Sequence, residues 1–138
     1  MPKATVAAII TRRINNEIDI LLTKRNIEPF KDYWCLPGGH IDSNEDAVTA
    51  VIREVKEETN LDIHPEFLTY QDEIFPNRGV HNVVLIFYGY AGNEIKADPV
   101  EVSDIRWFPL PQVTLMKLAF NHSEAIRIFL EKTDKNLE

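Results

Sequence analysis

Four charged residues within the stretch Arg53 to Glu58 carry the strongest chemical signal in the sequence. On an ideal helix, at about 100° per residue, the carboxylates of Glu54, Glu57 and Glu58 point within about one quadrant of each other. Carboxylates packed this closely repel one another unless solvent separates them or a divalent cation binds between them. Hard cations such as Mg²⁺ take oxygen ligands, commonly a few carboxylates together with waters and substrate phosphates. The spacing indicates a metal site, and a charged surface helix is the alternative.

These acids need a helix to hold them and a turn that brings the chain to that helix. Pro37–Gly39 is a turn signal, because proline and glycine interrupt regular structure. Asp42 with Glu45, or Ser43 with Asp46, has the spacing of a helix N-terminal cap. We therefore predict a tight turn followed by a capped helix that begins at Glu45.

The helix itself has an aliphatic pattern that predicts which side packs on the core. Four aliphatic residues fall on one side, so we expect the acids on the opposite flank. Arg53 lies four residues before Glu57, close enough for an ion pair that orients the carboxylate, although an ordinary surface pair has the same spacing. The aliphatic residues are Val48, Val51, Ile52 and Val55.

The stretch from Gly39 to Leu61 resembles the signature of the Nudix hydrolases. Gly39, Glu45 and the run Arg53 to Glu58 stand at the family's spacing. One position departs, because Asn60 stands where the family usually has glycine. That glycine is expected to end the helix in a left-handed conformation, and Asn is the next most tolerant residue there. The departure is therefore mild.

The resemblance implies an α/β (α+β) fold, an α/β/α sandwich with a mixed β-sheet between helices. It also implies hydrolysis of the pyrophosphate in a nucleoside diphosphate linked to another moiety, with Mg²⁺ or Mn²⁺ as cofactor. Glu57 and Glu58 would be the principal metal ligands, and Glu54 a further ligand or the base for the attacking water. The carbonyl of Gly39 would face the metal. Glu45 would orient Arg53 or cap the helix.

One acid outside the helix also fits the family pattern. Glu101 lies six residues before Trp107, where relatives often place a loop glutamate near the metals or the water. Glu94, Asp98 and Asp104 are rivals for that role. We include Glu101 among the candidate catalytic residues, with Glu54, Glu57 and Arg53.

The substrate is suggested by segments outside the signature. The segment 25–39, the proline Pro76 and the terminal run 118–122 resemble the ADP-ribose diphosphatases of the family. Arg25 could reach a phosphate, and Gly38 allows close backbone approach. Aromatic rings that could stack on a base are Phe30, Tyr33 and Phe75. The alternatives are a pyrophosphatase for oxidised dGTP or similar triphosphates, and a non-catalytic nucleotide-sensing module.

Composition predicts one domain over residues 1–138, since the length suits a single core. The net charge of −7 argues against nucleic-acid and membrane partners and leaves a nucleotide substrate open. No signal peptide is evident, and a lone Cys35 suits a reducing compartment, so we expect a cytoplasmic protein. Cys35 itself reads as a small buried residue. Many relatives pair, so a homodimer is a further expectation.

Hydrophobic periodicity predicts the remaining elements. A turn at Asn15-Asn16 joins two strands into a hairpin, and the segment that follows, to Gly39, reads as a loop. The apolar run Val83 to Phe87 is consistent with a strand buried on both faces. The predicted strands are 4–11, 18–22, 67–75, 82–90 and 105–108, and a terminal helix is predicted over 123–131.

Overall fold

The computed structural model describes residues 1–90 and 102–137. Its strands are β1 (Lys3–Ile14), β2 (Glu17–Arg25), β3 (Trp34–Cys35), β4 (Gly38–His40), β5 (Glu66–Phe75), β6 (Val80–Tyr90) and β7 (Val102–Pro109). Its α-helices are α1 (Ala47–Thr59), α2 (Leu110–Val113) and α3 (His122–Leu137), with a 3₁₀ turn at Pro76–Arg78. Glu101, Glu94 and Asp98 lie outside the described residues.

The described strands form one mixed sheet in the order β3-β2-β1-β6-β5, with β4 beside β1 and β7 beside β2. Strands β1 and β6 run parallel, whereas the other pairings are antiparallel. The predicted fold class, a mixed sheet with helices, is confirmed.

The hairpin between β1 and β2 follows from two asparagines. Asn15 and Asn16 both have positive φ, 52° and 67°, and they join the paired residues Ile14 and Glu17. Two-residue hairpin loops favour this left-handed pair because its twist matches that of the strands, and Asn tolerates it best after glycine. The predicted turn is confirmed.

Strands β1 and β2 separate beyond the hairpin. β1 pairs with β2 at 11–14, but at 5–7 it pairs with β4 instead. On the other side of the opening, β2 pairs with β3 at Thr23 and Lys24. The segment predicted as a loop therefore contributes two short strands that fill the gap. Within the glycine turn, the segment Pro37–Gly39, only Pro37 lies at a bend, and Gly38 and Gly39 are paired residues of β4, so the prediction of a tight turn was wrong for the two glycines.

The sheet has a hydrophobic cluster on each face. Even-numbered residues of β1, such as Val6 and Ala8, pack with Val51 and Val55 of α1. Odd-numbered residues such as Ala7 and Ile9 pack in the cluster that contains α3. The α3 residues of that cluster are Ala125, Ile126 and Phe129. Because side chains alternate along a strand, β1 contributes to both clusters and the sheet lies between two helices.

The buried side of α1 differs from the predicted one. Val48 and Ile52 are 48% and 38% exposed, whereas Glu54 and Glu58 are buried. Glu54 and Glu58 belong to the same buried stripe as Val51 and Val55, so the prediction that the acids lie opposite the core was wrong for these two, whereas Glu57 is half-exposed. The stripe can include carboxylates because neighbouring backbone and guanidinium groups bind them, as the site geometry shows.

Other elements match the prediction with small differences. β5, β6 and β7 appear where strands were expected, and α3 extends beyond the predicted 123–131. Val83 is exposed, so the prediction that β6 is buried on both faces holds for only part of the run. None of the described helices is long and apolar enough to cross a membrane.

Candidate active site

Helix α1 begins two residues later than Glu45, at Ala47. Asp46 is the N-cap, with extended backbone angles, and its carboxylate accepts a hydrogen bond from the Thr49 N–H at 2.7 Å. That bond lowers the pKa of Asp46. Glu45 precedes the cap, and its Oε1 accepts from the Asp42 N–H at 3.0 Å. The prediction that Glu45 starts the helix was wrong, because the Asp46 carboxylate reaches the free N–H groups of the first turn.

The other end of α1 is set by Asn60. This residue has φ 67° and ψ 8°, the left-handed conformation, and its N–H donates to the Lys56 carbonyl at 2.9 Å. The expectation that Asn60 takes the place of a helix-ending glycine is confirmed. Leu61 follows directly into the core and is fully buried, so the turn fixes the direction in which the chain leaves the acid cluster.

Arg53 is the centre of an ion-pair network. Its Nε and Nη2 donate to the two carboxylate oxygens of Glu45 at 2.7 and 2.9 Å. Its Nη1 donates to Glu54 at 2.9 Å and to Glu57 at 3.3 Å, and its Nη2 also reaches the His40 carbonyl at 3.0 Å. One guanidinium therefore fixes the orientation of three carboxylates and joins them to β4.

The network changes the acidity of its members. Hydrogen bonds from the Arg53 side chain, and then from the Asp42 N–H, lower the pKa of Glu45 to about 2. The same pairing raises the pKa of Arg53 above its ordinary value. Both groups are therefore charged over the whole physiological range, and the network is permanent at neutral pH.

The glycine turn contacts two buried acids. The Gly38 N–H donates to Glu58 Oε1 at 3.0 Å. A Cβ on Gly39 would lie 2.5 to 2.7 Å from the carboxyl atoms of Glu54. Since real Cβ atoms do not approach so closely, only glycine lets the Glu54 carboxylate rest against the turn.

These oxygen donors suit a hard divalent cation. Glu54 and Glu58 are buried beside the turn, and Glu57 is half-exposed against Arg53. Among the described residues, no group of three or more His, Cys, Asp or Glu side chains is already arranged to hold a metal. Mg²⁺ is usually bound by one or two carboxylates with waters and substrate phosphates rather than by an all-protein cage. The donor set fits a cation that is shared with a bound phosphate.

A cavity of about 130 Å³ adjoins the turn, at the opening between β1 and β2. Arg25 lines it, held by a 2.6 Å hydrogen bond from Nε to the Pro29 carbonyl and lying 5.0 Å from the Phe120 ring centre. The other polar or glycine residues at its wall are Thr5, Thr23, Gly38, Gly39, His40, Glu58, Glu73 and His122. Glu58, a predicted metal ligand, thus shares one cavity with Arg25 and Gly38, which were predicted to bind the substrate.

The aromatic residues proposed for base stacking lie elsewhere. Phe30 is buried in edge contacts with Tyr33 and Phe75, at 5.4 and 5.2 Å between ring centres. The Arg78 guanidinium lies 4.0 Å from the Phe30 ring centre. Neither Phe30 nor Phe75 lines the cavity, whereas Phe120, which was not proposed, does. A substrate role for Phe30 and Phe75 stays a prediction, and neither residue lines this cavity.

Cys35 lies at the cavity wall but is buried, as expected. Burial raises the pKa of its thiol to about 11, and Thr23 Oγ1 lies 3.4 Å from the sulfur. A thiol in this state is a poor nucleophile, because thiolate is the reactive form.

Thr5, Glu73 and Phe120 also line the cavity and were not predicted from the sequence. Glu73 alternates with exposed residues of β5 and lies on the side that faces α3. An acidic residue on the buried face of a strand can indicate a functional site. Which face of β5 is buried, however, depends on the helix that packs against it. Local pattern does not give that information.

Comparison with known proteins finds similarity over most of the chain. Residues 1–129 match the NUDIX domain. An ADP-ribose pyrophosphatase of Methanocaldococcus jannaschii is 35% identical over 120 residues, which are 85% of this chain and 69% of that protein. The NAD-capped RNA hydrolase NudC of Stutzerimonas stutzeri is 40% identical over 92 residues, 65% of this chain. The chain spans only 32% of the length of that protein.

A solved structure is similar over nearly the whole chain. The NUDIX domain of Shewanella oneidensis NrtR, complexed with ADP ribose, superposes with a TM-score of 0.87 at 27% identity. The match covers 96% of this chain and 89% of that one.

Proposed function

Because the chain belongs to the Nudix hydrolase family, we propose that it cleaves ADP-ribose to AMP and ribose 5-phosphate in the cytoplasm, with Mg²⁺ or Mn²⁺. Nudix hydrolases generally need a divalent metal. The observation that carries the proposal is the pair of buried carboxylates, Glu54 and Glu58, held at a glycine turn beside a cavity. Buried carboxylates repel each other and the phosphates of a substrate, so a cation between them and the substrate is the simplest compensation.

Each residue of the cluster has a separate task in this proposal. Glu58 has one oxygen on the Gly38 N–H, which fixes the direction of the other. Glu57 and Glu58 are the principal metal ligands, and Glu54 is a further ligand or the base that takes the proton of the attacking water. Arg53 positions Glu54 and Glu57 through its Nη1. When bound, the cation neutralises phosphate oxygens and lowers the pKa of a coordinated water.

Three further assignments complete the site. The Gly39 carbonyl is a backbone ligand, and Glu101, which directly precedes β7 in the sequence, is a further catalytic acid. Arg25 binds a substrate phosphate from the cavity wall, because a guanidinium fork matches phosphate oxygens. Its Nε is already bonded to Pro29, so the terminal nitrogens are the ones that face the ligand.

The choice of ADP-ribose is supported by the relatives. One is named an ADP-ribose pyrophosphatase, and the structure of similar fold binds ADP ribose. Both similarities are at modest identity, so they support the substrate class more strongly than the individual nucleotide.

The test is product release from a panel of nucleotides, with Mg²⁺, with Mn²⁺ and with chelator. The panel contains ADP-ribose, NADH, diadenosine polyphosphates, oxidised dGTP and ordinary dNTPs. We expect metal-dependent AMP release from ADP-ribose far above the other rates. Pyrophosphate from oxidised dGTP as the dominant product would overturn the substrate, and tight nucleotide binding without turnover under either metal would identify a sensor.

A homodimer is part of the proposal. In the described chain, β5 pairs with β6 only, so one edge of a ten-residue strand is unpaired. Phe67, Tyr70 and Ile74 of this strand are exposed. An edge strand can pair antiparallel with its own copy about a two-fold axis, which satisfies its backbone groups and covers these side chains.

Light scattering after size exclusion tests this pairing on the parent chain and on Ile74→Lys. We expect a dimer for the parent and a shift toward monomer for the variant, because a charge at the interface opposes burial. A monomeric parent at micromolar concentration would contradict the proposal.

A further inference from the structure

Two buried polar atoms in the cavity lack a hydrogen-bond partner. Across the described residues, Thr5 Oγ1 and Glu73 Oε2 are the buried side-chain oxygens left unsatisfied. Thr5 is 7% exposed and Glu73 is 2% exposed, and both line the cavity beside the glycine turn. Unsatisfied buried polar groups are rare because they lose their bonds to water, so a pair of them in one cavity requires an explanation.

Glu73 is held in a fixed direction. Its Oε1 accepts a hydrogen bond from Asn82 Nδ2 at 3.1 Å. Its Oε2 lies 3.5 Å from His122 Nε2. Because His122 Nδ1 accepts from the Leu36 N–H at 3.0 Å, the neutral ring has its proton on Nε2, on the side of Glu73. Asn82 and His122 are therefore positioning residues, and because the 3.5 Å contact with His122 is not a hydrogen bond, Oε2 keeps its acceptor capacity for a group in the cavity.

The chemistry of the two atoms selects what can bind. A carboxylate oxygen only accepts hydrogen bonds, and a threonine hydroxyl both donates and accepts. The negative charge of Glu73 disfavours a phosphate at this position, while Arg25 offers positive charge elsewhere on the same wall. A cavity of about 130 Å³ has room for one ring, since an apolar protein cavity of roughly 150 Å³ holds benzene.

We propose that Thr5 and Glu73 are substrate-specificity residues that bind a neutral hydrogen-bond-donating group of the nucleotide, an amino group of the base or a hydroxyl of a ribose. This inference rests on the proposed function, because it takes the pyrophosphate to lie at the acids of α1. The alternative occupant is ordered water, which would satisfy the same two atoms without selecting a substrate.

The first test uses Glu73→Gln, which keeps the shape and the Asn82 contact but replaces an acceptor with a donor at the cavity. Calorimetry in Mg²⁺ measures binding of AMP, IMP, 2′-deoxy-AMP and ribose 5-phosphate, none of which contains a pyrophosphate to cleave. We expect about tenfold weaker binding of at least one ligand. Asp72→Asn is the matched control, because it removes the same charge from the exposed side of the same strand and should change nothing.

The ligands identify the source of the donor. If the parent prefers AMP to IMP and Glu73→Gln loses that preference, the base amino group binds here. If the lost preference is for AMP over 2′-deoxy-AMP, the donor is the hydroxyl of the adenosine ribose. Weaker binding of ribose 5-phosphate assigns the other ribose. Unchanged affinity for all four ligands would overturn the inference.

The second test uses Thr5→Val, which removes only the unpaired hydroxyl at nearly constant shape. Thermal unfolding should show a higher Tm, because an unsatisfied buried polar group is replaced by an apolar one. Ligand affinity should fall about tenfold for the same ligand that Glu73→Gln affects. Unchanged affinity would mean that no group of the nucleotide binds this hydroxyl and would contradict the proposal, whatever the change in Tm.

Failure of this inference is distinguishable from failure of the proposed function. Normal ADP-ribose turnover with unchanged binding in both variants rejects the specificity residues alone. Absence of turnover in the parent, with binding that both variants weaken, rejects the hydrolase and retains the specificity residues.

Discussion

Arg53 holds the positions of three acids, and the strongest of its contacts is to an acid that binds no metal in our proposal. The guanidinium donates hydrogen bonds to both carboxylate oxygens of Glu45, with nitrogen–oxygen distances of 2.7 and 2.9 Å. Its remaining nitrogen then faces Glu54 and Glu57. Glu45 thus acts through Arg53, which explains why an acid eight residues before the cluster belongs to it.

The lowered pKa of Glu45 predicts a pH dependence of stability. Above its ordinary value of 4.5 the carboxylate is charged in both folded and unfolded chains, and the Arg53 pairing contributes fully. Between 4.5 and about 2 the unfolded chain binds the proton more readily, so this contribution is lost as the pH falls. Denaturant unfolding of the parent and of Glu45→Gln should therefore differ at pH 7 and converge toward pH 2.

The control for this experiment is Glu17→Gln, an exposed acid of the β1–β2 hairpin. It removes the same charge without touching the Arg53 network. A difference between parent and Glu45→Gln that stays constant from pH 7 to pH 2 would contradict the pairing.

The sequence predicted the roles of residues that lie close together along the chain. The acids of α1 lie near the cavity, and Asn60 takes the left-handed conformation. Thr5 and Glu73 could not be found, because they lie on strands far apart in sequence that meet only through β6. Their shared cavity is a property of the sheet rather than of any local pattern.

Strand β4, which contains Gly38 and Gly39, joins the sheet to helix α1. Gly38 and Gly39 pair with Ala7 and Val6 of β1, and both contact acids of α1. Their reasons for being glycine differ. A Cβ on Gly38 would lie 2.1 Å from the Val6 carbonyl oxygen, whereas the atoms nearest to a Cβ on Gly39 belong to the end of the Glu54 side chain.

Alanine substitutions should therefore separate stability from activity. Gly38→Ala pushes against the backbone of β1 and should destabilise the fold by about 1–3 kcal/mol. Gly39→Ala can be accommodated if the Glu54 carboxylate moves, so stability should change less while kcat falls roughly 10- to 100-fold. Urea unfolding and ADP-ribose hydrolysis measure the two effects. Equal loss of stability in both variants with unchanged activity of Gly39→Ala would contradict this assignment.

Element prediction succeeded for long periodic segments and failed for short ones. A pattern of alternating hydrophobic residues is recognisable in the five long strands, β1, β2, β5, β6 and β7. Strands β3 and β4 have only two and three residues, and they pair with β2 and β1 where those two strands separate from each other. The buried side of α1 was misassigned because hydrophobicity alone decided it. Glu54 and Glu58 are buried against Arg53 and Gly38, contacts that no periodicity reveals.

The described molecule is built around one sheet, and the opening between β1 and β2 connects the two faces of that sheet. Glu58 of α1 contributes from one side and His122 of α3 from the other, and both line the cavity at the separation of β1 and β2. The parallel pairing of β1 with β6 keeps Thr5 opposite Val84 in this arrangement. Local sequence indicated the layers, but not this pairing, since partners far apart in sequence are chosen by tertiary packing.

ADP-ribose hydrolysis by Glu57→Gln during a Mg²⁺ titration tests whether the acids of α1 hold a catalytic metal. Glu124→Gln of α3 is the matched control, because Glu124 is 49% exposed and paired with Arg127, much as Glu57 is 53% exposed and paired with Arg53. We predict a loss on the order of 100-fold in kcat for Glu57→Gln, with a higher Mg²⁺ requirement, and parent activity for the control. A Glu57→Gln protein that hydrolyses ADP-ribose as fast as the parent would contradict the metal assignment.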